Sequence, residues 1–383
     1  MDFRMSSQQQ TWHDAAVTFA RDRLAPDLNL TARDQAGEFW REGWTRCGEF
    51  GLHGLPVPDQ YGGMGLGLPE TIAAMEGLGY ACEDNGLILA VNASLWTNTI
   101  PILRYGTEAQ KSRWLPLLAS GSLIGANGAS EPDAGSDIFS MQTLAERTGA
   151  GWVLNGRKIW VTAGPVADVF VCYATTDPAK GVLGITAFIV PEATPGFRVV
   201  RDIPKMGVKT VPMGELAFED CRLPLDALLG REGRGAEVFN CSMEWERGAI
   251  LAAALGTMRR QLEQCITHAR TRKQFGKPIG KFQAVSHRIV DMKLRLETCR
   301  PLVYKIGWLK SQNEDATVAS AIAKLYVSEC YVQNSLDAVA LFGASGYIVE
   351  TGIERLLRDA IGSTIYSGTN DIMRNIIATS LGL

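Results

Sequence analysis

The sequence predicts an α+β multidomain chain: a helical N-terminal domain over residues 1–123, a middle β domain over 124–230 and a C-terminal helical bundle over 231–383. Three observations predict it. Apolar residues recur with helical spacing at both ends of the chain. Between them, short apolar runs alternate with turn residues, which favours a small barrel or sandwich. The C-terminal helical runs are long and joined by short links, which implies an antiparallel bundle. No GxGxxG follows a strand, so a dinucleotide would have to be held by other means than a doubly wound sheet.

Each element follows from local signals. Thr11 caps a first helix carrying Trp12, Ala16, Phe19 and Ala20. Residues 50–58 lead to Tyr61-Gly-Gly-Met-Gly-Leu-Gly, a loop too rich in glycine for regular structure. Pro69 opens another helix with Ile72, Met75, Glu76 and Leu78. Residues 85–103 carry no charge and nearly reach membrane-span length. Asn92, Ser94, Thr97, Asn98, Thr99 and Pro101 interrupt them, so a buried helix ending near the proline is expected. In the β zone, Asn155-Gly156 predicts a two-residue hairpin between 152–154 and 157–162. Further strands are expected at 169–174, 186–190, 197–200 and 215–218. In the bundle, 238–272 and 283–310 read as two long helices. Asp315 caps a third that stops at Gly343. A short helix at 353–360 precedes a last one from Asp371, with Thr369 as its cap.

Composition narrows the function. Hydrophobic residues make up 46% and charged residues 21%, the balance of a globular chain with a sizeable core. Lys and Arg total 38 against 41 Asp and Glu, which gives no sequence-wide attraction to phosphate backbones, so no nucleic-acid partner is expected. Residues 1–10 are polar and lack the apolar stretch of a secretory signal, so a cytoplasmic protein without membrane attachment is expected. The 8 cysteines form no CxxC pair and read as reduced core thiols. The 4 histidines have no ligand spacing, so no metal site is expected.

Five constellations could carry chemistry. In Asn127-Gly-Ala129-Ser130-Glu131-Pro-Asp-Ala-Gly135-Ser136-Asp137, backbone N–H groups can face an electron-rich ring or a phosphate, or the segment is an ordinary turn. In Trp160-Val161-Thr162, Trp160 and Thr162 share one strand face opposite Ile159 and Val161. That face suits a flat heteroaromatic cofactor, unless Trp160 is simply core. The basic run from Arg270 to Lys277, with Arg272 and Phe275, could hold a pyrophosphate and stack on an adenine, or is a solvated face. On a helical wheel Phe239, Met243, Glu246, Ile250 and Ala253 form one stripe. A carboxyl there is desolvated and its pKa rises, which a general base near neutrality needs. The alternative is a buried glutamate paired with Arg247 or Arg259. Glu244 lies about 200° away around the helix. Finally, the free N–H groups behind Thr369 form an anion site or a plain cap.

Taken in this order, these segments resemble the acyl-CoA dehydrogenase family. The matching motifs are Tyr61-Gly-Gly-x-Gly, Glu131-Pro-x-Ala-Gly-Ser-Asp137, Trp160-x-Thr162, Arg272-Lys-x-Phe-Gly276, Phe342-Gly343 and Ser367-Gly-Thr369. The resemblance implies a middle β-barrel domain, a C-terminal four-helix bundle, bound FAD and a homotetramer. Carried over by position, Asn127, Ala129, Ser130, Gly135, Ser136, Trp160, Val161 and Thr162 would meet the flavin. A neighbouring subunit would supply Arg272, Phe275, Gln283, Ala340, Phe342, Gly343 and Ala344 to the adenylate and pyrophosphate. Thr369 and Asp371 would lie on the flavin's own phosphate side. Ser136, Arg247, Ser367 and Gly368 would stand along the substrate. Most of the family places its glutamate where this chain has Ser367. A minority takes the base from the long bundle helix just before an arginine, and Glu246-Arg247 matches that arrangement.

A narrower resemblance, to L-prolyl-carrier-protein dehydrogenases, rests on Trp245-Glu-Arg-Gly, the segment from Asp133 to Gln142, Phe282-Gln-Ala-Val-Ser, the segment from Arg288 to Glu297, and Ser367-Gly-Thr-Asn-Asp-Ile. It implies a substrate of L-proline held as a thioester on the phosphopantetheine arm of a peptidyl carrier protein. Glu246 would remove the α-proton while the β-hydrogen leaves as hydride to the flavin. Two such oxidations would give the pyrrole-2-carboxyl thioester of natural-product biosynthesis. The electron acceptor would be an electron-transfer flavoprotein or O2. A short branched-chain acyl-CoA dehydrogenase is the alternative.

Overall fold

The computed structural model describes residues 4–383. The N-terminal helices are α1 (Ser7–Phe19), α2 (Leu30–Ala36), α3 (Arg41–Phe50), α4 (Leu68–Ala81), α5 (Asn85–Ser94), α6 (Ile100–Tyr105) and α7 (Glu108–Ala119). Helix α1 starts at Ser6, not at Thr11. The Ser6 hydroxyl accepts from the Gln9 N–H at 3.2 Å, and the Gln9 amide oxygen accepts from the Ser6 N–H at 2.9 Å. This reciprocal pair satisfies two free donors, whereas Thr11 sits inside the helix and donates to the Ser7 carbonyl.

The uncharged segment does not end at Pro101. A single π-turn at Leu95–Thr99 carries the chain from α5 into α6. The Ile100 N–H reaches back to the Leu95 carbonyl, and Pro101 falls in the first turn of α6, where its missing N–H costs little. Asn85–Tyr105 is apolar enough to cross a membrane, yet 89% of its most apolar window is buried inside the fold, so it is a core helix.

The strands are β1 (Gly125–Gly128), β2 (Leu144–Thr148), β3 (Gly151–Thr162), β4 (Val169–Thr175), β5 (Ile185–Pro191), β6 (Phe197–Asp202), β7 (Met213–Leu223) and β8 (Leu228–Leu229). They form one sheet in the order β6-β7-β3-β2-β4-β5-β8, with β1 paired parallel to β4. The expected turn at Asn155-Gly156 is absent. β3 runs straight through it, and the hairpin closes earlier, between Thr148 and Gly151. Against β7 the register slips at Leu154/Gly156 and again at Lys158/Val161. The first slip places the extra residue in β7, where Asp220 has φ 49°, and the Asn155 side-chain oxygen takes the Asp220 N–H at 2.8 Å. The polar asparagine therefore satisfies a bulge and not a turn. The second slip places the extra residue in β3 at Trp160, with φ 58°.

The C-terminal region contains α8 (Gly235–Ala249), α9 (Ala252–Thr271), the hairpin β9 (Lys273–Gln274) and β10 (Lys277–Pro278), α10 (Gln283–Ser311), α11 (Thr317–Phe342), α12 (Ala344–Tyr347), α13 (Ile353–Gly362) and α14 (Asn370–Ser380). The single helix expected over 238–272 is thus two helices, broken at Ile250–Leu251. Neither residue is a helix breaker; both are buried in the core, so packing sets the bend. The N-cap of α11 is Ala316 and not Asp315, which stands one residue earlier and accepts from the Thr317 N–H at 3.0 Å, whereas Thr369 caps α14 through the Ile372 N–H, as expected. The core is continuous from Ala16 to Ala360. At its centre α4 meets α9 backbone to backbone, because a Cβ on Gly256 would stand 2.1 Å from the Glu76 carbonyl.

Candidate active site

The stripe on α8 buries Glu246 to 7% exposure. No cation lies within ion-pair distance of its carboxyl among the described residues. Arg259 instead bonds Glu263, and the Arg247 Nε donates to the Ser367 carbonyl at 3.0 Å. Burial pushes Glu246 up to about 7; the neighbouring Ser367 hydroxyl and the charges of Arg247 and Lys324 oppose the rise without cancelling it. The rival carboxylate Glu244 faces another way and is ion-paired with Lys310. Geometry thus selects the unpaired alternative that the wheel left open.

Opposite Glu246 the chain turns sharply. Ser367 has φ 59° and Gly368 φ 92°, two consecutive left-handed residues between α13 and α14. A left-handed serine is strained, and such strain concentrates at functional sites. Its hydroxyl is buried beside the Glu246 carboxyl, where it favours the ionised form. Arg247 closes over the turn: a Cβ on Gly368 would lie 3.5 Å from its guanidinium. Glu246, Arg247, Ser367 and Gly368 are therefore brought together.

The loop over residues 127–137 is fixed from beneath by two residues that sequence reasoning missed in this role. Lys158, with no exposed surface, donates to the Ala129 carbonyl at 3.0 Å and to Glu131 at 2.7 Å. Glu131 also accepts from the N–H groups of Gln142 and Thr143 at 2.6 and 3.0 Å. Burial alone would raise the Glu131 carboxyl, but Lys158 and these donors hold it below its ordinary value. The Ile159 N–H bonds the Ser130 carbonyl at 3.0 Å, which aligns the loop with β3.

The bulge breaks the alternation expected across Ile159 to Thr162. Lys158 and Val161 face inward, Ile159 and Thr162 are half-buried, and Trp160 is 48% exposed. Gly135 crosses the Trp160 ring: a Cβ there would lie 3.6 Å away. A buried Asn127 side-chain oxygen has no partner. An orphaned acceptor, a bared indole and a loop of small residues fit a flat, hydrogen-bonding ring system, so Asn127, Ala129, Ser130, Gly135, Ser136, Trp160, Val161 and Thr162 fit an isoalloxazine.

A second group gathers at one end of the bundle. Phe275 and Gly276, with φ 50° and 77°, form the tight turn between β9 and β10. The Phe275 ring is 91% exposed. Arg272 ends α9, Gln283 begins α10, and Phe342 stacks on His268 at 4.2 Å. Ala340, Gly343 and Ala344 lie beside it on the surface. No hydrogen bond or ion pair among the described residues joins this group to the 127–137 loop. Thr369 is occupied as a cap, while Asp371 is exposed and paired with Arg374 at 3.2 Å.

One turn beyond Glu246, Ile250 borders a chamber, another feature not read from sequence. Its polar lining comes from Asn85, Asn92, Thr257, Tyr331, Asp359 and Tyr366. These residues are scattered over α5, α9, α11, α13 and the turn before α14, so no local pattern marks them.

Fold and site define a class of flavoenzyme, the dehydrogenases that oxidise acyl thioesters with bound FAD. The chain belongs to the acyl-CoA dehydrogenase family: its N-terminal, middle and C-terminal domain models match residues 6–122, 126–221 and 233–382. It is 44% identical to an L-prolyl-[peptidyl-carrier protein] dehydrogenase of Pseudomonas fluorescens Pf-5, over 100% of both chains. The crystal structure of the prolyl acyl carrier protein oxidase AnaB superposes with a TM-score of 0.97 at 46% identity, covering 99% of this chain and 100% of that one. PigA with FAD and proline superposes with a TM-score of 0.97 at 42% identity over 100% of both.

Proposed function

We propose that this enzyme oxidises L-proline, held as a thioester on the phosphopantetheine arm of a peptidyl carrier protein, to the pyrrole-2-carboxyl thioester. The observation that carries the chemistry is Glu246, buried, without an ion-pair partner and beside the Ser367 hydroxyl. A thioester acidifies its α-proton, and a carboxylate with pKa near 7 is matched to removing it at neutral pH. The N–H groups of Ser367 and Gly368 make no hydrogen bond among the described residues and stand next to the base. They are the donors we assign to the thioester oxygen as charge develops there. Arg247 fixes that turn through the Ser367 carbonyl. Bound FAD supplies the acceptor that takes the β-hydrogen with its electron pair. Glu246 releases its proton between the two oxidations, and aromaticity drives the second.

The loop residues with Trp160, Val161 and Thr162 hold the flavin ring, and Ser136 lies along the pantetheine arm. Arg272, Phe275, Gln283 and the turn from Ala340 through Phe342 and Gly343 to Ala344 serve the adenylate side of a neighbouring subunit in a homotetramer. The exposure of Phe275 and the separation of its group from the flavin loop support that arrangement. Thr369 and Asp371 stand on the flavin's phosphate side. The enzyme acts in the cytoplasm and returns its electrons to an electron-transfer flavoprotein or O2.

A short branched-chain acyl-CoA dehydrogenase would use the same base and differs in the acyl group and its carrier. The test presents prolyl-loaded carrier and isovaleryl-CoA separately to the holoenzyme without air. Flavin bleaching by the carrier, followed in air by loss of four hydrogens in its mass spectrum, is the expected result. Bleaching by isovaleryl-CoA alone overturns the reading in favour of a branched-chain dehydrogenase.

A further inference from the structure

Helix α11 carries a second buried ionisable group behind the base. Lys324 has no exposed surface. Its ammonium donates to the Asn370 side-chain oxygen at 3.0 Å, which also accepts from Ser328 at 3.1 Å. No carboxylate lies within ion-pair distance of it among the described residues, an unusual state for a fully buried lysine. Asn370 is the first residue of α14, three beyond Ser367. The turn facing Glu246 is therefore gripped at both ends: Arg247 of α8 holds the Ser367 carbonyl, and Lys324 of α11 holds Asn370.

We propose that Lys324 is a positioning residue: it ties the 367–370 turn to α11, and its charge keeps Glu246 available as the carboxylate. The inference rests on the reading of Glu246 as base. The groups that act on Glu246 come from four directions: Arg247 on its own helix, Lys324 on α11, Ser367 and Tyr366 before α14, and Tyr173 on β4. Only Arg247 and Lys324 are cations; Arg247, which also donates to the Ser367 carbonyl, acts on Glu246 beside Lys324. Burial and the Arg247 charge drive the lysine down to about 7, the range in which burial places the glutamate, while the opposite charges of Lys324 and Glu246 favour each other's ionised forms. Deleting the lysine charge therefore raises the pH at which Glu246 ionises, whereas loss of a purely structural contact leaves it in place.

The experiment compares wild type, Lys324→Met, Lys324→Gln and Lys324→Arg holoenzymes. Flavin reduction by prolyl-loaded carrier is followed from acid to alkaline pH. The wild-type rate rises through about pH 7. With Met or Gln the midpoint moves up by about one pH unit, and Arg restores it. In parallel, infrared spectra follow the protonated carboxyl band that Glu246→Gln abolishes. That band persists to higher pH in Lys324→Met, a readout independent of substrate. An unmoved band and midpoint with a lower plateau overturn the proposal and leave Lys324 a structural lysine. A moved band in an enzyme that ignores prolyl carrier upholds this inference while refuting the substrate assignment.

Discussion

In water a glutamate loses its proton near pH 4.5; at Glu246, burial without a paired cation moves that point to about 7. The same shift is a stability statement. Because the folded-state value lies above the unfolded one, the group's stabilising contribution is full below about pH 4.5 and is lost as pH rises through about 7. Glu246→Gln removes this dependence. The variant is expected to gain stability over wild type between these values and level off above, by up to about 3 kcal/mol. Thermal unfolding of both proteins across that pH range checks it, and a constant difference refutes it. The burial of Glu246 was legible because a carboxyl stood in an apolar stripe of one helix. Lys324 and the chamber were not, because their neighbours come from elements remote in sequence. Thr11 misled as a cap because the Ser6–Gln9 pair satisfies two donors where a lone threonine satisfies one.

At the scale of single elements, β3 does more than a regular strand could. Its bulge turns Trp160 outward while Lys158, two residues earlier, points into the core and anchors the loop that faces the indole. Lys158→Met strands the Glu131 carboxyl in the interior, with an expected cost of about 3–5 kcal/mol in urea unfolding and weaker FAD retention. Adding Glu131→Leu should recover most of the stability but not the loop's order. No recovery would show that the ion pair is not the source of the loss. Helix α9 offers a second test. Gly256→Ala forces a methyl against the α4 backbone and should lower the unfolding midpoint sharply, whereas Gly149→Ala, with open space around it, should not. Local signals misled where a distant strand or helix overrode them. Asn155-Gly156 reads as a turn only until β7 pairs across it, and Pro101 reads as a stop only until the π-turn carries the helix past.

For the molecule as a whole, the order helices, sheet, helices was legible because hydrophobic period changes from helical to strand-like and back, and one continuous core then joins the parts. What periodicity does not carry is the relation between chains. The proposal that a neighbouring chain completes the flavin site is tested at the exposed Phe275. Phe275→Ala should change the stability of the isolated chain by less than about 0.5 kcal/mol, since the ring touches little within it. On that proposal it should nevertheless weaken FAD binding and lower the association state measured by analytical ultracentrifugation. Unchanged cofactor affinity would remove Phe275 from the neighbouring subunit's site. The central claim concerns the base that the bundle supplies. Its most direct test is mass spectrometry of prolyl-loaded carrier incubated with Glu246→Gln holoenzyme. The expected protein is yellow, binds FAD as wild type does, and converts the carrier more slowly by about a thousandfold. Conversion at a near wild-type rate would contradict the account.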